Sequence, residues 1–394
     1  MSQSKRLRDL GLSVGELPAG PTNSIVDVPG IRVGHCDVRG AVTAPGKKPI
    51  HTGVTVIVPG EANLFEHPLP AGVDIFNGYG KSAGLMQAAE RGEIESPIYL
   101  TSTLNVGRVW DAALSVALER NPKAISISPI VLECNDGMLS DARGRHVREG
   151  HVRETLVAAG DEGRAPLRAA AGPRKGKPSS CALPATAPAC APALGSVGAG
   201  SGMKCMGRKG GIGSSSRIVK TRSMGEVVLG AMSLNNFGGT LQWRGREISP
   251  RGDNHVVASQ TTPTTAPATG APDPIGGSCI IVLATSAPLD PCILRRIARR
   301  VWAGVARVGS SFGDTSGDVA LAFALPRPDG LCPDELRWKL PAEGANALFR
   351  AAADAAEESI WDCLLAAGDF TSPDGKTTPG LRPEELSAAS RKKG

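Results

Sequence analysis

Gly276-Gly277-Ser278-Cys279-Ile280-Ile281-Val282-Leu283-Ala284-Thr285 passes from two glycines through a serine into an unbroken apolar run. A run of this length and composition reads as a strand buried on both faces, not one that alternates between core and water. Just upstream, Ser259 to Pro274 is rich in Thr, Pro and Ala and has no periodicity, a poor candidate for any packed element. A proline-rich linker therefore feeds Gly-Gly-Ser directly into a buried strand. Glycines beside a bond let the backbone take strained conformations and let a hydroxyl reach the preceding carbonyl. A serine hydroxyl is a weak nucleophile and needs a base within hydrogen-bond reach. Were the Gly277–Ser278 bond to break, the freed α-amine, with an unperturbed pKa of about 7.7–8.0, would lie close to where a general base works best. The same residues also read as a plain Gly-Gly turn in front of a strand. Cys279 is a second nucleophile in name, but strand alternation turns its thiol to the opposite face.

Working outward, Asp290–Val305 has the pattern of an amphipathic helix with a basic face. Gly309 to Asp318 is a Gly/Ser/Asp turn leading into the strand Val319–Leu325, and Ala345–Ala367 reads as a long helix. On the other side, Gly225–Leu234 is a strand ending at Asn235-Asn236-Phe237-Gly238. The glycine-dense Gly195–Arg217 is expected to be a tight, site-lining loop. Gly160 to Pro192 is Ala/Pro/Gly/Ser-rich and reads as a flexible insertion, as does 259–274. In the first 160 residues, strands are expected at Ser24–Val33, Gly53–Val58 and Ala124–Val131. Helices are expected at Gly78–Gly92, Trp110–Glu119 and Arg148–Ala159.

Composition narrows the function classes. The chain has 394 residues, 41% hydrophobic and 21% charged, as in an ordinary soluble protein with a substantial core. Its net charge of +6 is mild and dispersed, which gives no basis for nucleic-acid binding. Nine cysteines without a CxxC pair read as free thiols in a reducing compartment. The first residues lack an apolar signal region and no 18-residue apolar run occurs, so a cytoplasmic location without a membrane span is expected. The six histidines show no HExxH spacing, and no metal or organic cofactor is expected. Gly202–Gly207 is followed by Arg208-Lys209-Gly210, which fails the Walker pattern, and no GxSxG elbow surrounds Ser278.

Several blocks then fall in one order: NSIVDVPGIRVGH (Asn23–His35), HTGVTVIVP (His51–Pro59), FNGYGKSAG (Phe76–Gly84), SPIYLTSTLNVG (Ser96–Gly107), ECNDGMLSD (Glu133–Asp141), NNFG, GGSCIIVLATSAPL and GDTSGDVALAF (Gly313–Phe323). Together they resemble the L-aminopeptidase/D-esterase and β-peptidyl aminopeptidase family, whose precursors cleave themselves before a serine. The resemblance implies an α/β fold of four stacked α-β-β-α layers, similar to N-terminal-nucleophile hydrolases, in a single catalytic domain cut into residues 1–277 and 278–394. It implies Ser278 as nucleophile and Gly277 as the residue before the cut. Ser316 and Asp318 resemble the serine and acid beside the nucleophile. Asn236 resembles an oxyanion donor, and Glu133 the carboxylate that pairs with the substrate's free amino group. Implied partners are small peptides or amino-acid amides and esters, and the implied assembly is a tetramer of α/β heterodimers. Met138 departs from the pattern, standing where many members carry a tyrosine that could donate a hydrogen bond. Two alternatives stay open: an acyltransferase of the ornithine acetyltransferase type, against which Ser278 and Glu133 argue, and an uncleaved, catalytically idle binding protein.

Overall fold

A computed structural model describes residues 5–42, 44, 47–161, 190–222, 225–248, 277–325, 342–373 and 375–391. All of the expected insertion at 259–274 and the bulk of that at 160–192 lie outside these residues. In chain order the elements begin with β1 (Ile31–Gly40), β2 (Ile50–Pro59), β3 (Leu69–Gly78), α1 (Leu85–Glu90), β4 (Glu93–Ile94) and β5 (Ile98–Ser102). Next come α2 (Val106–Arg120), β6 (Ile130–Cys134), α3 (Glu149–Ala158), β7 (Lys204–Cys205), β8 (Arg208–Lys209), β9 (Gly211–Thr221) and β10 (Gly225–Asn236). The chain continues with β11 (Gln242–Trp243), β12 (Arg246–Glu247), β13 (Ser278–Thr285), α4 (Pro291–Val308), β14 (Gly317–Ala324), α5 (Ala342–Ala366) and α6 (Pro383–Arg391).

Two sheets carry the architecture, ordered β1-β2-β5-β6 and β4-β3-β14-β13-β10-β9. Each holds one parallel pair, β5 with β6 and β13 with β14. A parallel pair needs a long crossover, and α2 and α4 supply the two. Asp290 caps α4 by accepting from the Cys292 and Ile293 amides, Pro291 starts it, and Gly309 ends it at φ 104°. That helix returns the chain so that β14 lies along β13.

The apolar run after Ser278 shows why both faces of a strand need burying. Ile280, Val282 and Ala284, with Val319, Leu321 and Phe323, face Ile57, Leu100, Ile130 and Leu132 of the other sheet. Cys279, Ile281 and Leu283 point the other way, to Ile297, Val301 and Val305 of α4 and Ala351, Ala355 and Ile360 of α5. On the far side of the smaller sheet, Val54, Val56, Tyr99 and Val131 pack on Val109, Val116, Val152 and Leu156 of α2 and α3. Three apolar interfaces between four layers are the α-β-β-α stack that the family resemblance implied. Among the described residues no helix is long and apolar enough to cross a membrane.

Local expectations needed correction where small residues serve packing instead of turning. The glycine-dense stretch is not all loop, because Gly211–Thr221 is an eleven-residue strand. A Cβ on Gly213 would sit 1.8 Å from the Ser359 carbonyl, so its glycine lets α5 lie against the sheet. The expected helix from Gly78 shrinks to α1, and the strand at Ala124–Val131 becomes β6, starting at Ile130. β3 was not anticipated, since Pro70, Gly72 and Asn77 interrupt its pattern. A Cβ on Gly72 would lie 2.1 Å from the Arg295 amide, where α4 crosses.

Candidate active site

Ser278 opens β13 between two strands, opposite Asn236 of β10 on one side and Gly317 of β14 on the other. It is buried. Strand alternation puts its side chain on the face of Ile280 and Val282, toward the other sheet. Its Oγ donates to the carbonyl of Gly277, 2.7 Å away. That carbonyl also accepts the Gly317 amide at 3.0 Å. A hydroxyl thus rests on the peptide group that precedes it, while a backbone N–H polarises the same oxygen. Gly277 cannot be larger, for its Cβ would fall 2.5 Å from the Asn236 carbonyl and 2.6 Å from the Phe237 Cα.

Asp318 lies opposite Cys279, on the helix-facing side of the sheet. Its Oδ1 accepts the Ser316 hydroxyl at 2.8 Å and the Cys279 amide at 3.0 Å. Its Oδ2 accepts Asn77 Nδ2 at 2.9 Å. Burial pushes the carboxyl above its ordinary range, and the hydrogen bonds from Ser316, Asn77 and Cys279 pull part of the way back. The two expected helpers are therefore joined to each other. The carboxylate reaches the surroundings of Ser278 through the Ser316 hydroxyl and the Cys279 amide. Burial drives the neighbouring Cys134 and Cys279 thiols far above their usual range, which keeps them neutral and inert.

Asn236 presents its amide on the same face as Ser278. Its Oδ1 accepts the Lys204 amide at 2.9 Å, so the carbonyl end is held by the glycine-rich loop. Nδ2 has no partner among the described residues, a neutral donor left unused beside the serine. Glu133 ends β6 in the opposing sheet and is fully buried. Its Oε1 accepts the Lys81 amide at 2.7 Å, and Oε2 accepts the Thr103 hydroxyl. The next residue ties the two sheets together, because Cys134 Sγ donates to the Ser278 carbonyl at 3.2 Å.

Two facing glycines keep a path open between the carboxylate and the hydroxyl. A Cβ on Gly80 would lie 3.4 Å from both Glu133 Oε1 and the Gly317 Cα. A Cβ on Gly317 would lie 2.6 Å from the Gly80 Cα and 3.2 Å from Ser278 Oγ. Side chains at either position would fill the space between the Glu133 carboxyl group and the Ser278 hydroxyl. The structure brings Ser278, Ser316, Asp318, Asn236 and Glu133, the residues that the resemblance singled out, to one end of the two sheets, beside Asn77, Gly80, Lys81 and Thr103, which the sequence did not single out. Asn77, Gly80 and Lys81 sit in the FNGYGKSAG block, where the Asn-Gly pair reads as a turn signal and hides the amide's contact. Asp136 is buried with both carboxylate oxygens lacking a hydrogen bond, and burial lifts it to about 6. Met138, two residues on, is half-exposed and offers no donor.

A model of peptidase family S58 matches residues 23–378. The β-peptidyl aminopeptidase BapA of Sphingosinicella microcystinivorans is 32% identical over 401 residues, which cover 99% of this chain and 93% of that protein. The structure of a β-aminopeptidase from Burkholderia sp. superposes with a TM-score of 0.75 and 34% identity, covering 99% of each chain. The L-aminopeptidase/D-Ala-esterase/amidase of Ochrobactrum anthropi, described as a variant of the Ntn hydrolase fold, gives a TM-score of 0.76 at 28% identity over 98% of this chain.

Proposed function

The chain belongs to peptidase family S58, and from that premise we propose that it is a self-processing serine aminopeptidase whose nucleophile is Ser278. It is a hydrolase with N-terminal aminopeptidase and amidase function, acting on peptide bonds. The observation that carries the assignment to Ser278 is its hydroxyl lying 2.7 Å from the Gly277 carbonyl oxygen, with the Gly317 amide on the same oxygen. Attack of Oγ on that carbonyl carbon, with breakage of the Gly277–Ser278 C–N bond and transfer of the hydroxyl proton to the departing nitrogen, gives an ester and a free Ser278 amine. Water then cleaves the ester, leaving residues 1–277 and a second chain that begins at Ser278. The new α-amine, at about 7.7–8.0 when unperturbed, becomes the base that the hydroxyl lacked.

In turnover, Ser278 Oγ adds to the substrate carbonyl and passes its proton to that amine. The Ser316 hydroxyl donates to Asp318, which leaves its own lone pairs to orient the amine. Asn236 Nδ2 and backbone amides stabilise the oxyanion. Glu133 receives the substrate's ammonium, a charge that matches the carboxylate and limits cleavage to the first residue. The leaving amine takes the proton, and water hydrolyses the acyl-enzyme. Processed α/β heterodimers are proposed to assemble as tetramers in the cytoplasm, on the strength of the family resemblance and the unpaired thiols.

Hydrolysis of p-nitroanilides of free-amino L-, D- and β-residues tests this reading. Release of p-nitroaniline from at least one of them, abolished when the substrate's amine is acetylated, is the expected result. Equal hydrolysis of the acetylated compound would refute the role of Glu133, and no hydrolysis of any would refute the activity.

A further inference from the structure

Asn77 is placed by an irregularity in the sheet. β3 and β14 pair with Asn77 opposite Asp318 and Ile75 opposite Val319, so Phe76 is an extra residue. Without that bulge the register from Ile75 would continue with Phe76 opposite Asp318 and Asn77 opposite Gly317. A one-residue bulge therefore sets an amide, instead of a phenyl ring, against the buried carboxylate. The displaced Phe76 is half-exposed and stacks on Phe312 and Trp302, with ring centroids 4.4 and 5.5 Å away.

The amide does more than cap one oxygen. Asn77 Nδ2 donates to Asp318 Oδ2 at 2.9 Å, to the Phe312 carbonyl at 3.2 Å and to the Gly313 carbonyl at 3.3 Å. Phe312 holds the left-handed backbone conformation, φ 46°, which is costly for an aromatic residue and is sustained by its surroundings. The loop that it begins carries Ser316. One side chain thus fixes both ends of the Ser316–Asp318 pair: the carboxylate on the strand and the loop that supplies the hydroxyl. With Oδ2 taken by Asn77, Oδ1 is left to the Ser316 hydroxyl and the Cys279 amide.

We propose that Asn77 is a positioning residue for the reaction, one that holds Asp318 in place and aimed at Ser316 so that the Ser316 hydroxyl is presented to the Ser278 amine. This deepens the reading of the site given above and rests on it. The groups facing Asp318 are Ser316, Asn77, the Cys279 amide and the neutral thiols of Cys134 and Cys279. None of them is a cation, so only neutral donors oppose the effect of burial on this carboxyl. Removing one of three donors raises its proton affinity.

The test compares wild type, Asn77→Ala and the shape-matched Asn77→Asp as full chains, after self-cleavage, on a free-amino p-nitroanilide from pH 5 to 9. In Asn77→Ala, kcat is expected to fall about tenfold with KM little changed, and the acid limb of the kcat profile to move up by about one pH unit. Asn77→Asp sets a second carboxylate beside the first and is expected to move that limb further in the same direction. If a variant processes itself slowly, the rate of conversion of its precursor, followed on denaturing gels across the same pH series, gives the same readout. A folded variant whose acid limb and kcat match wild type overturns the proposal, and Asn77→Asp decides the matter if Asn77→Ala fails to fold. Failure of wild type to hydrolyse the anilide would count against the assigned activity. Active wild type with unshifted variants would count against Asn77 alone.

Discussion

Buried carboxylates meet different partners at two places in this protein: guanidinium groups at one and, among the described residues, none at the other. At the N-terminal clasp, Glu358 of α5 lies against the Arg8 and Arg217 guanidinium groups at 2.6 and 2.7 Å, and Asn23 donates to it as well. Asp362, one turn on, pairs with Arg6 at 2.6 Å and accepts the Leu7 amide, yet burial outweighs these partners and lifts it to about 6, so of the two only Glu358 has its charge fully matched. Burial raises Glu358, yet Arg217 and Arg8 outweigh it and hold the group below its ordinary range. At the other place, the end of the two sheets that carries Ser278, Asp318, Glu133 and Asp136 are as deeply buried, and among the described residues none of them pairs with a guanidinium or ammonium group. A matched set of charges is locked and serves the fold. An acid without a cationic partner is free to respond to what enters, as the proposed binding of a substrate ammonium group would need.

Breaking the matched set should cost most, and in stability. Glu358→Ala strands two guanidinium groups and is expected to remove about 3–5 kcal/mol, read by urea denaturation, with no change in the pH profile of the folded fraction. At the site the losses should instead be kinetic. Asn236→Ala removes the unused donor beside Ser278 and is expected to lower kcat about 10²–10³-fold with a normal melting temperature. Glu133→Gln keeps the shape and removes the charge. It is expected to raise KM for free-amino anilides roughly 10–100-fold while leaving the fold intact, and a stability loss as large as that of Glu358→Ala would erase the distinction.

The smallest effect concerns Asp136. Its carboxyl is raised to about 6 by burial, so the folded state holds a proton that the unfolded chain has already released. Its contribution to stability is therefore full below about 4 and lost as pH rises through about 6. Asp136→Asn keeps the neutral form at every pH. It is expected to be stabilising by about 1–2 kcal/mol at pH 8 and close to neutral at pH 4, measured by melting at both. The reverse dependence would mean that Asp136 is charged and paired in the folded protein.

The parts legible in the sequence were those where one residue type has one physical use. An apolar run after Gly-Gly-Ser must be buried on both faces, and β13 is. The Asn-Asn-Phe-Gly end of β10 and the Thr-Ser-Gly-Asp entry to β14 do flank Ser278. The four layers themselves came from the family resemblance, because no local pattern tells one which sheet meets which helix. What stayed hidden depends on register or on close approach. β3 is broken by Pro70 and Gly72, and Asn77 reaches Asp318 only because Phe76 is bulged out. The glycines from Gly195 onward suggested a loop, yet Gly213 is small so that α5 can press on β9.

The proposal for Ser278 meets its most direct test in the intact mass of the purified protein beside that of Ser278→Ala. Wild type is expected as two chains divided between Gly277 and Ser278, with hydrolysis of free-amino anilides, and Ser278→Ala as one uncut, inactive chain. A wild type that hydrolyses those substrates as a single uncut chain, or a Ser278→Ala protein that is still cleaved and active, would contradict it.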